Sequence, residues 1–155
     1  MAASARPEPG VTAETAPFWD GTARGVLCLP HCGLCGTTFF PPAARCPHCL
    51  SSRVAWKDCS GRGYLRSWTE LHVAPYSGSP KPVLVAEIEP GESRSLALAM
   101  LMEANGTESL VPGAPIVIGF AADANGWTYP VARLLPETSG TSDASLAGER
   151  AGHDR

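Results

Sequence analysis

Cys32, Cys35, Cys46 and Cys49 form two C-x-x-C pairs with ten residues between them, in the run CGLCGTTFFPPAARCPHC. Thiolates in such pairs are soft ligands, and four of them match a tetrahedral structural zinc site in which each pair sits on a tight turn. Gly33, Gly36 and Pro47 are the turn formers that such knuckles need. Iron is the competing metal. Because four ligands fill the tetrahedron, the centre is closed and has no position for a reacting water. His31 and His48 flank the pairs but are not needed as ligands. Cys28 and Cys59 stand outside both pairs and are expected to be small buried hydrophobes.

The elements that position these cysteines are short. Gly and Pro total 31 of 155 residues, which favours turns and strands over long helices. Asp20 is expected to cap a helical turn at Thr22–Arg24, and Val26–Leu29 to form a strand entering the first knuckle. Phe39 and Phe40 fill the ribbon, which is too small to hold itself together without metal. Further strands are expected at Val54–Cys59, Tyr64–Val73, Pro82–Glu89, Ser95–Glu103, Pro115–Ala121 and Trp127–Leu135. Ser95–Glu103 is ambiguous, because Leu, Ala and Met favour helix, but its place across a short turn argues for a hairpin. In Tyr64–Val73 the odd positions, Leu65 to Val73, make one face of a half-buried strand, and His72 is a surface residue. About five strands with glycine-rich turns indicate a small closed barrel, with an OB-fold leading and a sandwich as the alternative.

The fold class is therefore mainly β: a zinc ribbon, then an OB-fold barrel, between disordered tails. The expected divisions are 1–16 (tail), 17–52 (short helix and ribbon), 53–135 (barrel) and 136–155 (tail). No apolar run is long enough to span a membrane, and the N-terminus has no secretory signal, so a reducing cytoplasm is expected. The net charge is −3. It is uneven: residues 21–69 hold Arg24, Arg45, Arg53, Lys57, Arg62 and Arg66 against Asp58 alone. A basic half attracts phosphate groups. One reading is therefore single-stranded nucleic-acid binding, with Tyr64, Arg66, Trp68 and Lys81 as the surface. The acidic pI of about 5.8 opposes it.

The ordered features FWDG, the four-cysteine run with FFPP between the knuckles, and SGRGYLRSWT closely resemble the DUF35 family, a rubredoxin-like zinc ribbon joined to an OB-fold. The resemblance covers roughly residues 18–135. It implies that Cys32, Cys35, Cys46 and Cys49 are the metal ligands. Ala43 and Ala44 intervene where the family usually has an arginine after the prolines. The family implies an accessory role in acyl-CoA metabolism, beside a thiolase-fold catalytic subunit that supplies the nucleophile and bases, in a two-plus-two heterotetramer. The zinc protein would stabilise its partner and help enclose a CoA thioester. Arg45, Arg62 and Arg66 are the candidates for the CoA phosphates, and Phe18, Trp19, Phe39 and Phe40 for the partner interface. No catalytic constellation is expected in this chain.

Overall fold

The first helix is set by proline at its start and glycine beyond its end. In the computed structural model, which describes residues 6–76, 78–79 and 81–135, helix α1 spans Ala16–Ala23 with Pro17 in its first turn. Proline's fixed φ suits that position, where its missing N–H costs no helical bond. The end is a Schellman turn. Gly25 has φ +72°, its N–H donates to the Thr22 carbonyl, and the Val26 N–H donates to the Gly21 carbonyl at 2.9 Å. The expected Asp20 cap is thus corrected. Asp20 lies inside the helix, which begins four residues earlier.

Strands β1 (Cys28–Cys32) and β2 (Val54–Asp58) form an antiparallel two-stranded sheet, with Cys28 opposite Asp58 and Cys32 opposite Val54. The entering strand therefore starts later than Val26 and runs into the first ligand. Gly21 of FWDG lets α1 lie directly on β1. A Cβ there would come within 2.8 Å of the Cys28 Cβ and 2.9 Å of the Val26 carbonyl oxygen.

Five strands follow: β3 (Arg62–Leu71), β4 (Val83–Pro90), β5 (Leu98–Glu103), β6 (Pro115–Ala122) and β7 (Thr128–Leu134). They close in the order β3-β4-β5-β7-β6. Only the β5–β7 pairing is parallel, and this is the Greek-key barrel of an OB-fold. The ambiguous methionine-rich segment is strand β5. Leu98, Met100 and Met102 point inward, alternating with more exposed residues, which is the period of a strand facing a core.

β3 departs from the expected single alternation. Its register against β4 shifts between Leu65 and Ser67. Such a bulge adds one residue, so the inward side changes parity. Leu65 is buried before it. After it, Trp68 lies opposite buried Ala86 and packs on the core, while Ser67 and Thr69 are exposed.

The barrel's core extends into the start of the ribbon. Leu65, Ala86, Ile88, Ile116, Ile118 and Ala132 of the barrel cluster with Phe18, Leu27 and Leu29 from α1 and the entrance to the ribbon. The division expected at 52/53 also shifts. β2 stays with β1 in the ribbon sheet, and the barrel strands begin at Arg62.

Gly63 explains the SGRG turn. A side chain there would collide with the Glu89 carbonyl across the β3–β4 pair. Gly63→Ala should cost about 1–3 kcal/mol, because backbone rather than a flexible side chain must move. Urea denaturation measures it, and a loss below about 0.5 kcal/mol, the range of an ordinary surface change, would refute the close approach.

Of the N-terminal stretch expected to be disordered, residues 1–5 lie outside the described residues, whereas Arg6 and Pro7 are hydrogen-bonded to the β6–β7 hairpin. The Arg6 N–H donates to Asp123 Oδ2 at 2.6 Å, Asn125 Nδ2 donates to the Arg6 carbonyl at 2.9 Å, and the Tyr129 hydroxyl donates to the Pro7 carbonyl at 3.1 Å. The Arg6 guanidinium stacks 4.7 Å from the Tyr129 ring centre. The Arg6 N–H also holds the Asp123 carboxyl below its usual range. The expected tail at 136–155 lies outside the described residues. Among the described residues no helix is long and apolar enough to cross a membrane.

Candidate metal centre

Two loops of the same design carry the four cysteines. In the first, the Cys32 N–H donates to the Thr37 carbonyl and the Gly36 N–H to the Cys32 carbonyl, both at 2.9 Å. In the second, the Cys46 N–H donates to the Ser51 carbonyl and the Leu50 N–H to the Cys46 carbonyl, again both at 2.9 Å. Each loop thus folds its C-x-x-C pair back so that both sulfurs face the other loop. The residue after the second cysteine has positive φ in both, Gly36 at +73° and Leu50 at +59°.

The four Sγ atoms all lie within 4.8 Å of one another. Cys32 and Cys49 approach to 3.6 Å, as do Cys35 and Cys46. Zinc–sulfur bonds of about 2.3 Å in a tetrahedron separate the sulfurs by about 3.75 Å, so the residues fit zinc. The Leu34 N–H points at Cys32 Sγ at 3.4 Å, a bond that favours a thiolate. Hydrogen bonds with the Thr37 side chain and backbone hold the Cys35 thiol below its usual range, while burial and the neighbouring sulfurs push Cys49 up. Neither histidine belongs to the sulfur cluster. His31 Nδ1 instead lies 3.1 Å from Thr38 Oγ1.

The ribbon has little else to hold it. Its own cluster is Cys32, Phe39 and Cys46, with Cys49 and Val54 against it. Cys28 is buried and Cys59 half-buried. Burial pushes both thiols up, Cys59 to about 11, so they remain protonated and unreactive at neutral pH.

The four candidate interface aromatics occupy different environments. Phe18 and Phe39 are buried within this chain. Phe18 meets Trp19 at 5.0 Å and Phe40 at 5.3 Å between ring centres. Trp19 continues edge-on to Trp127 and Tyr129 of the barrel. This aromatic chain ties α1, the inter-knuckle loop and the barrel together. Only Phe40 presents a substantial face to solvent, at 38% exposure.

The three candidate arginines are all exposed, but they do not converge on one cleft. Arg45 Nη1 donates to the Leu50 carbonyl at 3.2 Å, beside the second knuckle. Arg66 lies 3.8 Å from Glu87. It lines a cleft of about 430 Å³ with Tyr64, Glu89 and Arg94. Arg94, in the turn between β4 and β5, carries no motif that would have singled it out. A larger cleft of about 740 Å³ lies between β4, β5 and β7, lined by Leu84, Leu101, Met102 and Arg133, away from both the cysteines and the candidate arginines. The bulge in β3 also disperses the surface proposed for nucleic acid. Tyr64 is 52% exposed, whereas Trp68 packs inward on the core.

The fold and the site thus define a four-cysteine zinc ribbon built onto an OB-fold barrel. Residues 19–55 match the family model described as "ChsH2, rubredoxin-like zinc ribbon domain". Among solved structures, "Ltp2-ChsH2(DUF35) aldolase" is similar at 24% identity and a TM-score of 0.73, over 82% of this chain and 98% of that one. A protein of unknown function from the DUF35 family of Sulfolobus solfataricus is similar at 17% identity and a TM-score of 0.56, over 80% of this chain and 87% of that one. No curated protein matches the chain. The ribbon is of the ChsH2 type, and the whole architecture is that of DUF35 proteins.

Proposed function

We propose that this chain is a non-catalytic, zinc-held accessory subunit of an acyl-CoA enzyme, working in the cytoplasm beside a thiolase-fold catalytic partner. The observation that carries this reading is the agreement of both modules, in order, with nearly the full length of a chain described with an aldolase. The closed sulfur site supports it, because a tetrahedral four-cysteine zinc stabilises the fold without offering a position for substrate. In this reading the partner supplies nucleophile and bases. The zinc subunit stabilises it in a two-plus-two heterotetramer and contributes arginines to the CoA phosphates. Arg66 is the best placed of these, because its cleft also holds Arg94 and exposed Tyr64. Its pairing with Glu87 is half-exposed and weak enough to yield to a phosphate.

Co-expression with each thiolase-fold subunit of the host, followed by light scattering and assays on CoA thioesters, tests the proposal. A stable complex is expected, with activity present in the complex and absent from this chain alone. Arg66→Ala in that complex should raise KM for the CoA thioester several-fold with little change in kcat, as loss of one charged phosphate contact predicts. A partner that is fully active alone and forms no complex overturns the proposal.

A further inference from the structure

The metal end of the ribbon carries a feature that the chain's own fold does not use. Glycine at position 36 takes its left-handed conformation without steric penalty. The equivalent residue of the second knuckle is Leu50, whose Cβ makes the same conformation unfavourable. No burial within this chain offsets that cost, since Leu50 is 69% exposed. Leu34, inside the first knuckle, is 60% exposed. The two leucines flank ligands whose sulfurs are 3.6 Å apart, Cys32 and Cys49, so they belong to one end of the molecule.

Leu50 has an arginine guanidinium bonded to it, and the backbone of a second arginine is bonded into the first knuckle. The Arg45 guanidinium is bonded to the Leu50 carbonyl. The Gly33 N–H donates to the Arg53 carbonyl at 2.8 Å, which places Arg53 against the first knuckle. No Asp or Glu occurs between Asp20 and Asp58. An aliphatic tip with a cation next to it is complementary to an apolar socket with a carboxylate on its rim. Leucine has no π face on which a nucleic-acid base would stack.

We propose that Leu34 and Leu50, with Arg53 and Arg45, form a docking surface for a protein partner that presents apolar sockets rimmed by acidic residues. This rests on the accessory-subunit reading, and the occupant is the catalytic partner. The metal holds both knuckles rigid before binding, so little conformational entropy is lost on docking. The arginines steer the encounter and select the register.

The test uses the zinc-loaded full chain and the thiolase-fold subunit with which it co-purifies, titrated by calorimetry without CoA. Leu50→Gly should melt at or above the wild-type temperature, because the left-handed leucine is relieved. It should nevertheless bind at least about tenfold more weakly, the effect of one buried leucine lost from an interface. Leu34→Ser should weaken binding similarly, and Arg45→Glu should slow association at low salt, with the loss shrinking at high salt. If these variants bind like wild type, the docking surface is refuted while the accessory-subunit reading stands. If the leucines instead drive binding to phosphatidylcholine–phosphatidylglycerol vesicles and leave the complex untouched, the surface faces a membrane and the proposal fails. If the wild-type chain forms no complex with any thiolase-fold subunit of its host, both readings fall together.

Discussion

Cys46→Ser, or removal of the metal by a chelator, should unfold the ribbon and leave the barrel standing. The ribbon's own buried cluster is two cysteines and Phe39, so its cohesion is the metal's. Structural zinc contributes about 10–16 kcal/mol of apparent binding free energy in isolated fingers, which exceeds what so few apolar contacts supply. The loss should be graded along the chain. Leu27, Leu29 and Phe18 belong to the core shared with the barrel, so they keep their packing on that side, although Phe18 loses Phe40. The knuckles and the sheet end at Cys32 and Val54 do not. Hydrogen exchange should show protection lost over residues 31–54 and retained in β3–β7. Acid should do the same at wild type, since protons compete for the thiolates and each one bound weakens the metal site. If the chain is the accessory subunit proposed above, complex formation should disappear before any chemical step is affected. A Cys46→Ser protein that remains protected over 31–54 and still binds its partner would contradict the structural role of the metal.

Phe18→Ala should cost about 3–5 kcal/mol, the usual range for removing a buried phenylalanine ring. Phe18 is 8% exposed and lies between Trp19 and Phe40, so the cavity opens at the joint between ribbon and barrel. The barrel and ribbon should then lose their common unfolding transition. Denaturant curves followed by tryptophan fluorescence and by far-UV circular dichroism should cease to coincide. A loss under about 1 kcal/mol, or coincident curves, would mean that the joint is held elsewhere. The same variant separates two roles for the aromatics. A partner interface needs an exposed face, and Phe18 has almost none, whereas Phe40 does. Phe40→Ala should therefore spare stability more than Phe18→Ala.

Much of this protein was legible in its residues. Two C-x-x-C pairs with turn formers at fixed offsets specify a closed metal site, because ligand softness, number and spacing leave few alternatives. The five barrel strands could be read from alternation and glycine punctuation, which are local properties of a pleated chain. Even the methionine-rich β5 was resolved correctly by its position across a turn rather than by propensity.

Tertiary structure decided what depends on approach and parity. The bulge at Arg66 turned Trp68 inward and dissolved a surface that alternation alone had assembled, because one inserted residue reverses every side chain beyond it. Gly21 and Gly63 are each required where one stretch of chain passes close against another, an approach that only the fold reveals. Helix α1 began at Ala16 rather than at an Asp20 cap, with Pro17 in its first turn and the Gly25 turn at its end. The aromatics chosen for their composition divided into buried mortar and one exposed ring. Leu34 and Leu50 carried no signal in sequence, since a leucine is ordinarily core. Only the folded knuckles show that both are turned outward to solvent.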